Sequence, residues 1–171
     1  MKIILRKATE QDAQLLYKIG MESYLYHFAK RWKNADELAS YVFYHEYSPF
    51  KIISDMQQSN IEWFVIENSQ PIGLVKLTYH STIPDETIQG TQLNKLYFLP
   101  SQTEQGNGSL VFKQIEALTK QHGDTLLWLD VLADNHSALS FYQANGMHKL
   151  KEVIFTRHTQ QSLEFIMGKV I

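Results

Sequence analysis

The stretch from Leu93 to Thr119, LNKLYFLPSQTEQGNGSLVFKQIEALT, limits the possible folds more than any other part of the chain. An apolar strand runs into Pro100, a polar loop carries Gly106 and Gly108, and a helix with an apolar stripe follows over about 109–121. The turn His122-Gly123-Asp124 then leads into a second apolar strand, LLWLDVL, at 126–132. A helix between two strands implies a crossover, hence a parallel and right-handed pair. The paired glycines allow close backbone approach, and the helix start leaves N–H groups without intrahelical partners, so the loop suits an anion such as phosphate. An ordinary strand-to-helix turn would also use two glycines. No GxGxxG follows the first strand, and no GKS or GKT ending marks a nucleotide-binding P-loop.

The remaining pattern places this unit within a sheet. Residues 2–8 read as a strand, with Ile3 and Leu5 alternating against Lys2, Ile4 and Arg6. Thr9 and Asp12 form a variant capping box before the stripe Leu15, Leu16 and Ile19, and Gly20 weakens that helix without ending it. Residues 22–32 carry Tyr24, Tyr26, Phe28 and Trp32, a cluster that either packs helices or walls a pocket. Asn34 and Glu37 start a further helix with Leu38, Tyr41, Val42 and His45 on one face, and Ser48-Pro49 starts another through Met56. Residues 61–67 and 71–79 read as an antiparallel hairpin, 81–90 as a polar loop, and 91–99 as the strand before the glycines. A short helix over 135–145 closes on Asn145-Gly146, and strands at about 147–156 and 162–168 end the pattern. These elements predict one α/β domain over 1–171, with helices on both faces of a mixed, mostly antiparallel sheet of about seven strands.

Composition narrows the function. With 171 residues, 44% hydrophobic and 20% charged, the chain can bury a substantial core. A formal net charge of -2 gives no general electrostatic reason to bind nucleic acid or an anionic membrane. Cys is absent, which excludes thiolate catalysis, disulfides and Cys-based zinc sites, and no metal site is expected. The first residues lack the long apolar core of a signal peptide and no apolar run reaches about 18 residues, so a cytoplasmic protein is expected.

Two motifs in this order resemble those of the Gcn5-related N-acetyltransferase superfamily, and more closely its bacterial polyamine-acetyltransferase-like members. Thr103, Gly106 and Gly108 fall on the family's Arg/Gln-x-x-Gly-x-Gly/Ala loop, with Ser109, Val111 and Phe112 behind it. Residues 135–147, NHSALSFYQANGM, put Asn135, Ala138, Phe141, Tyr142 and Gly146 in register with Asn-x-x-Ala-x-x-Phe-Tyr-x-x-x-Gly-Phe, Met147 replacing the last aromatic. The opening LRKATEQD is a weaker third match.

The resemblance implies that acetyl-coenzyme A is the cofactor. Its pyrophosphate would rest on Thr103, Glu104, Gln105, Gly106, Asn107, Gly108 and Ser109. Thr103 lacks the longer donor of Arg or Gln, and Glu104 puts a carboxylate where the family often has Gly. The strand before the loop would splay from its parallel neighbour, so that main-chain groups of Leu96, Tyr97, Phe98 and Leu99 meet the pantetheine and acetyl carbonyl. By the same resemblance Tyr142 is the general acid for the departing thiolate, and a phenol with pKa about 10 keeps its proton at neutral pH. Asn135 either contacts the pantetheine or fixes the helix start, and Ala138 lies beside the cofactor.

A carboxylate base is not evident in the motif. Relatives often read Glu-Leu-Glu-Arg-Ile-Tyr where this chain has Gln92, Leu93, Asn94, Lys95, Leu96 and Tyr97, leaving Gln92 or Asn94 to orient a water that relays the amine proton. His27, His80 and His148 have suitable intrinsic pKa values. Glu22, Asp85 and Glu86 could attract a cationic amine. The resulting expectation is acetyl transfer to a primary amine, a polyamine or another small one, by an enzyme for which the resemblance implies a homodimer. Peptide or protein N-acetylation and non-catalytic coenzyme A binding are the alternatives.

Overall fold

The computed structural model describes residues 2–103 and 106–171. Strands β1 (Ile4–Lys7), β2 (Ile61–Glu67), β3 (Pro71–Thr82), β4 (Gln89–Phe98), β5 (Leu126–Leu132), β6 (His148–Arg157) and β7 (Gln160–Val170) hydrogen-bond in the order β1-β2-β3-β4-β5-β7-β6. Helices α1 (Ala13–Phe28), α2 (Ala35–Ala39), α3 (Pro49–Met56), α4 (Asn107–Gln121) and α5 (His136–Ala144) complete the α/β pattern. The β1-β2, β5-β7 and β6-β7 pairs are antiparallel, whereas β4 and β5 are parallel, as the α4 crossover requires. The described β4-β5 register is Thr91 opposite Leu127 and Gln92 opposite Trp128. The described pairs end at Gln92, and β4 continues to Phe98.

Contacts divide the chain into two compact units, Met1–Leu77 with Lys95–Val111, and Thr78–Asn94 with Phe112–Ile171. The first unit packs Leu16, Ile19, Val42, Tyr47, Ile52, Trp63, Val65 and Leu74 into one core. Gly20 sits inside α1 because a Cβ there would lie 2.1 Å from the Tyr47 ring. After α2 the backbone widens into a π-helical segment, Ser40–Glu46, ending with the Tyr47 N–H donating to Val42 at 3.2 Å. This corrects the single α-helical face expected for Leu38, Tyr41, Val42 and His45: the wider turn buries Val42 and leaves His45 exposed. Tyr24 packs on Tyr41 and Phe28 and accepts a hydrogen bond from Trp32 Nε1 at 3.1 Å, while Tyr26 is exposed. Most of the aromatic run therefore packs helices.

The second unit is held at the start of β5 by Asp124, which is buried and accepts from the Thr91 hydroxyl at 2.7 Å and the His80 N–H at 3.0 Å. The His80 ring lies 2.7 Å from the same carboxylate. Burial opposes ionisation of Asp124, but these hydrogen bonds outweigh it and hold the carboxyl below its ordinary range. At Gly90 a Cβ would come within 2.3 Å of the Leu126 carbonyl, so glycine lets the parallel strands meet at that point. The polar loop expected over 81–90 is shorter, because β3 continues to Thr82 and β4 begins at Gln89.

Candidate active site

In the first unit, β4 ends on a turn that presents the glycine loop. The Leu99 N–H donates to the Ile72 carbonyl at 2.9 Å, and the Tyr97 carbonyl lies so close to Gly73 that a Cβ there would meet it at 2.4 Å. Because neighbouring residues of a strand direct their polar groups to opposite edges, Leu99 and Tyr97 face β3, whereas Leu96 and Phe98 face the other edge.

Pro100–Gln102 forms one tight turn, and the Thr103 hydroxyl donates back to the Pro100 carbonyl at 3.0 Å. Glu104 and Gln105 lie outside the described residues. Gly106 has φ +73, a left-handed conformation that glycine adopts without strain, and a Cβ there would meet nothing within 4 Å. Helix α4 begins at Asn107, earlier than expected, and takes Asn107, Gly108 and Ser109 into its first turn. An open glycine at the start of a 15-residue helix, whose first N–H groups have no partner within the helix itself, suits a pyrophosphate.

In the second unit a cavity of about 650 Å³ opens on one face of the sheet. Its lining includes Asp85, Gln92, Trp128, Asp130, Glu152 and Glu164. Antiparallel register explains the gathering: Asp130 stands opposite Ile166 and Leu132 opposite Glu164, so Asp130 and Glu164 are diagonal neighbours on one face. Gln92 accepts from Ser81 Oγ at 3.1 Å and donates through Nε2 to Asp130 at 3.2 Å. Asn94 accepts from Thr78 Oγ1 at 2.7 Å. Burial first, then the charge of Asp130 and a hydrogen bond with it, pushes Glu164 up to about 7. Lys151, from β6, binds the Pro84 carbonyl at 2.8 Å and Glu86 at 3.2 Å, closing the 83–88 loop onto the sheet.

Tyr142 lies in α5, partly buried, with ring centroids 6.3 Å from Phe112 and 5.2 Å from Phe141. Burial and then the charge of Asp130 raise its pKa well above the ordinary phenol value, so the hydroxyl stays protonated and is a donor. Asn135 accepts the Ala138 N–H at 3.3 Å and fixes the start of α5, so of its two expected roles the capping role is visible.

These features fit one established group. A model of the acetyltransferase (GNAT) family matches residues 11–147. The chain belongs to the acetyltransferase (GNAT) family. No curated protein matches its sequence. Among solved structures it is similar to the PaiA N-acetyltransferase of Thermoplasma acidophilum in complex with coenzyme A, with 24% identity over 100% of both chains and a TM-score of 0.78. It is also similar to a spermidine N-acetyltransferase SpeG chimera from Vibrio cholerae and hSSAT (13% identity, 99% and 96% covered, TM-score 0.71). The ribosomal-protein-S18-alanine N-acetyltransferase of Escherichia coli resembles it as well, at 17% identity, 99% and 94% coverage and a TM-score of 0.70. Those enzymes share a fold across unlike acceptors, so the acceptor of this acetyltransferase has to be argued from its own residues.

Of the acidic residues singled out in the sequence, Asp85 lines the cavity, Glu86 binds Lys151, and Glu22 is exposed on α1 in the first unit. Asp130 and Glu164 were missed by sequence reasoning. Each is a lone carboxylate in an apolar strand, LLWLDVL and SLEFIM, and that signal would have found them. Among the described residues no cluster with metal-ligand character occurs, and no helix is long and apolar enough to cross a membrane.

Proposed function

We propose that this acetyltransferase transfers the acetyl group of acetyl-coenzyme A to the primary amine of a small cationic acceptor, a polyamine or a related aliphatic amine, and that both units act as one domain. The observation that carries this reading is the cavity holding Asp85, Asp130 and Glu164. Carboxylates attract and orient an ammonium, and the Trp128, Val153 and Phe155 surfaces suit the methylenes between charges.

Acetyl-coenzyme A, when bound, supplies the acetyl group as a thioester. Main-chain N–H groups of 106–109 would hold its pyrophosphate, and Thr103 shapes the loop through its bond to Pro100. Main-chain groups of Leu96 and Phe98 would hold the pantetheine and the acetyl oxygen, where a fixed N–H would favour the negative charge that develops on attack. The Tyr142 hydroxyl gives its proton to the departing sulfur. Gln92 and Asn94 are placed by their bonds to Ser81, Asp130 and Thr78, and Gln92 orients the Asp130 carboxylate. Asn135 and Ala138 set the first turn of α5 and with it the position of Tyr142.

Release of free coenzyme A, followed with spermidine, aromatic amines, amino acids and short peptides in parallel, tests the reading. Spermidine should give the highest kcat/KM. Faster turnover of a peptide amine would replace the polyamine reading with peptide acetylation.

A further inference from the structure

An amine that arrives as an ammonium ion has no lone pair for attack, so the reaction needs a group that removes one proton before carbon–nitrogen bond formation. The sequence motif offered only amides at the positions where relatives carry carboxylates. Within the cavity, however, Glu164 and Asp130 project from neighbouring strands onto one face and share a hydrogen bond. Asp130 also accepts from Gln92 Nε2, which fixes its orientation. We infer that Glu164 takes the proton from the acceptor's ammonium nitrogen, with Asp130 acting as the positioning residue that keeps Glu164 ready to receive it. The inference rests on the acetyl-transfer reading above and adds the proton acceptor to it.

Proton and charge balance is simple. One N–H bond of the ammonium breaks, an O–H bond forms on Glu164, and the nitrogen becomes a neutral nucleophile. Glu164 later releases the proton to water through the open cavity. The second proton lost by nitrogen on amide formation balances the one that Tyr142 gives to sulfur.

The surroundings explain why this carboxyl is suited to the task. Asp130 from β5 and Asp85 from the 83–88 loop add negative charge around the cavity. Lys151 is the cation in the same lining, and its Nζ is engaged by Pro84 and Glu86. Glu152 is paired with Lys149 on the solvent side of β6. Tyr142 responds to the charge of Asp130, which ties the proposed acid to the same carboxylate that positions the acceptor of the other proton. A Glu held at about 7 matches the operating pH better than an ordinary carboxylate, whose conjugate acid would be too strong to retain an ammonium proton.

Two readouts test the proposal, one of them without acetyl-coenzyme A. Titrating spermidine into the wild-type chain at pH 7, in two buffers of different ionisation enthalpy, should show release of a fraction of a proton as the ammonium displaces it from Glu164. Glu164→Gln should release none. In steady state, Glu164→Gln should lower kcat at pH 7 by on the order of 10²-fold, with the loss shrinking toward pH 10 as free amine accumulates. Asp130→Asn should move the bend in the wild-type log(kcat) profile from near 7 to lower pH, a change that a purely structural role would not produce. If Glu164→Gln does not fold, that displaced bend decides the proposal. Wild-type turnover of spermidine with an unchanged profile in Glu164→Gln, or in Asp130→Asn, overturns the assignment of the pair and leaves acetyl transfer intact. No coenzyme A release from the wild type with any amine overturns both.

Discussion

Two carboxyl groups, Asp55 on α3 and Glu164 on β7, behave in opposite ways. Asp55, in the first unit, is fully buried and accepts from Trp63 Nε1 at 3.2 Å, Lys76 Nζ at 2.7 Å and the Lys51 ammonium. Burial works against its charge, but the lysine hydrogen bonds outweigh burial and hold the carboxyl below its ordinary range. Glu164, in the second unit, also meets burial, yet its neighbour is another carboxylate and its pKa rises to about 7. The lesson is that burial alone does not decide a carboxyl's role. Cations commit Asp55 to its charge and make it part of the scaffold, whereas Asp130 leaves Glu164 able to gain and lose a proton near neutrality.

The largest expected effect breaks the committed side. Asp55→Ala strands Lys76, itself mostly buried, without its partner, and should cost about 3–5 kcal/mol by urea denaturation. A loss below about 1 kcal/mol would mean that the ion pair is no more than an exposed one. On the other side, Tyr142→Phe removes a donor and keeps the ring. It should lower kcat by on the order of 10²-fold while coenzyme A affinity stays within a few-fold. An equal fall in binding and turnover would assign Tyr142 to uniform contact instead.

A smaller effect belongs to the loop. Gly108→Val should weaken coenzyme A binding by roughly tenfold in isothermal titration, because a branched side chain obstructs close approach to the first turn of α4, while Lys113→Ala on the exposed face should leave it unchanged. Equal affinities for wild type and Gly108→Val would remove the loop from cofactor binding. The smallest effect sharpens the contrast directly. Since folding raises the Glu164 pKa from 4.5 to about 7, its contribution to stability is fully present below 4.5 and is lost as pH rises through 7. Wild type should therefore lose a few degrees of Tm between pH 6 and pH 8 relative to Glu164→Gln, on the order expected for about 1 kcal/mol in a domain of this size. For Asp55 the sign reverses: its lowered pKa favours folding above the ordinary aspartate value and that contribution fades on acidification.

Much of this fold was legible because hydrophobic period and turn chemistry agree. The hairpin at 61–67 and 71–79, the crossover through α4 and the Asn145-Gly146 stop could all be read locally, and Gly146 does adopt φ +86. The π-helical segment was not legible: its extra residue per turn moves His45 off the face that α-helical spacing assigns to it. The cofactor loop and Tyr142 came from motifs contained in short stretches. The Asp130–Glu164 pair belongs to no such stretch: it exists only because the register of β5 on β7 sets those residues diagonally, and register across a sheet is a long-range property.

Where coenzyme A and the proposed acceptor bind can be read most directly by backbone amide NMR, titrating coenzyme A first and spermidine into the resulting complex. The account predicts that coenzyme A shifts the amides of 96–98 and 106–109, and that spermidine then shifts those of Asp85, Gln92, Asp130 and Glu164. Spermidine shifts confined to α1 and α2, with the cavity amides unmoved, would contradict it.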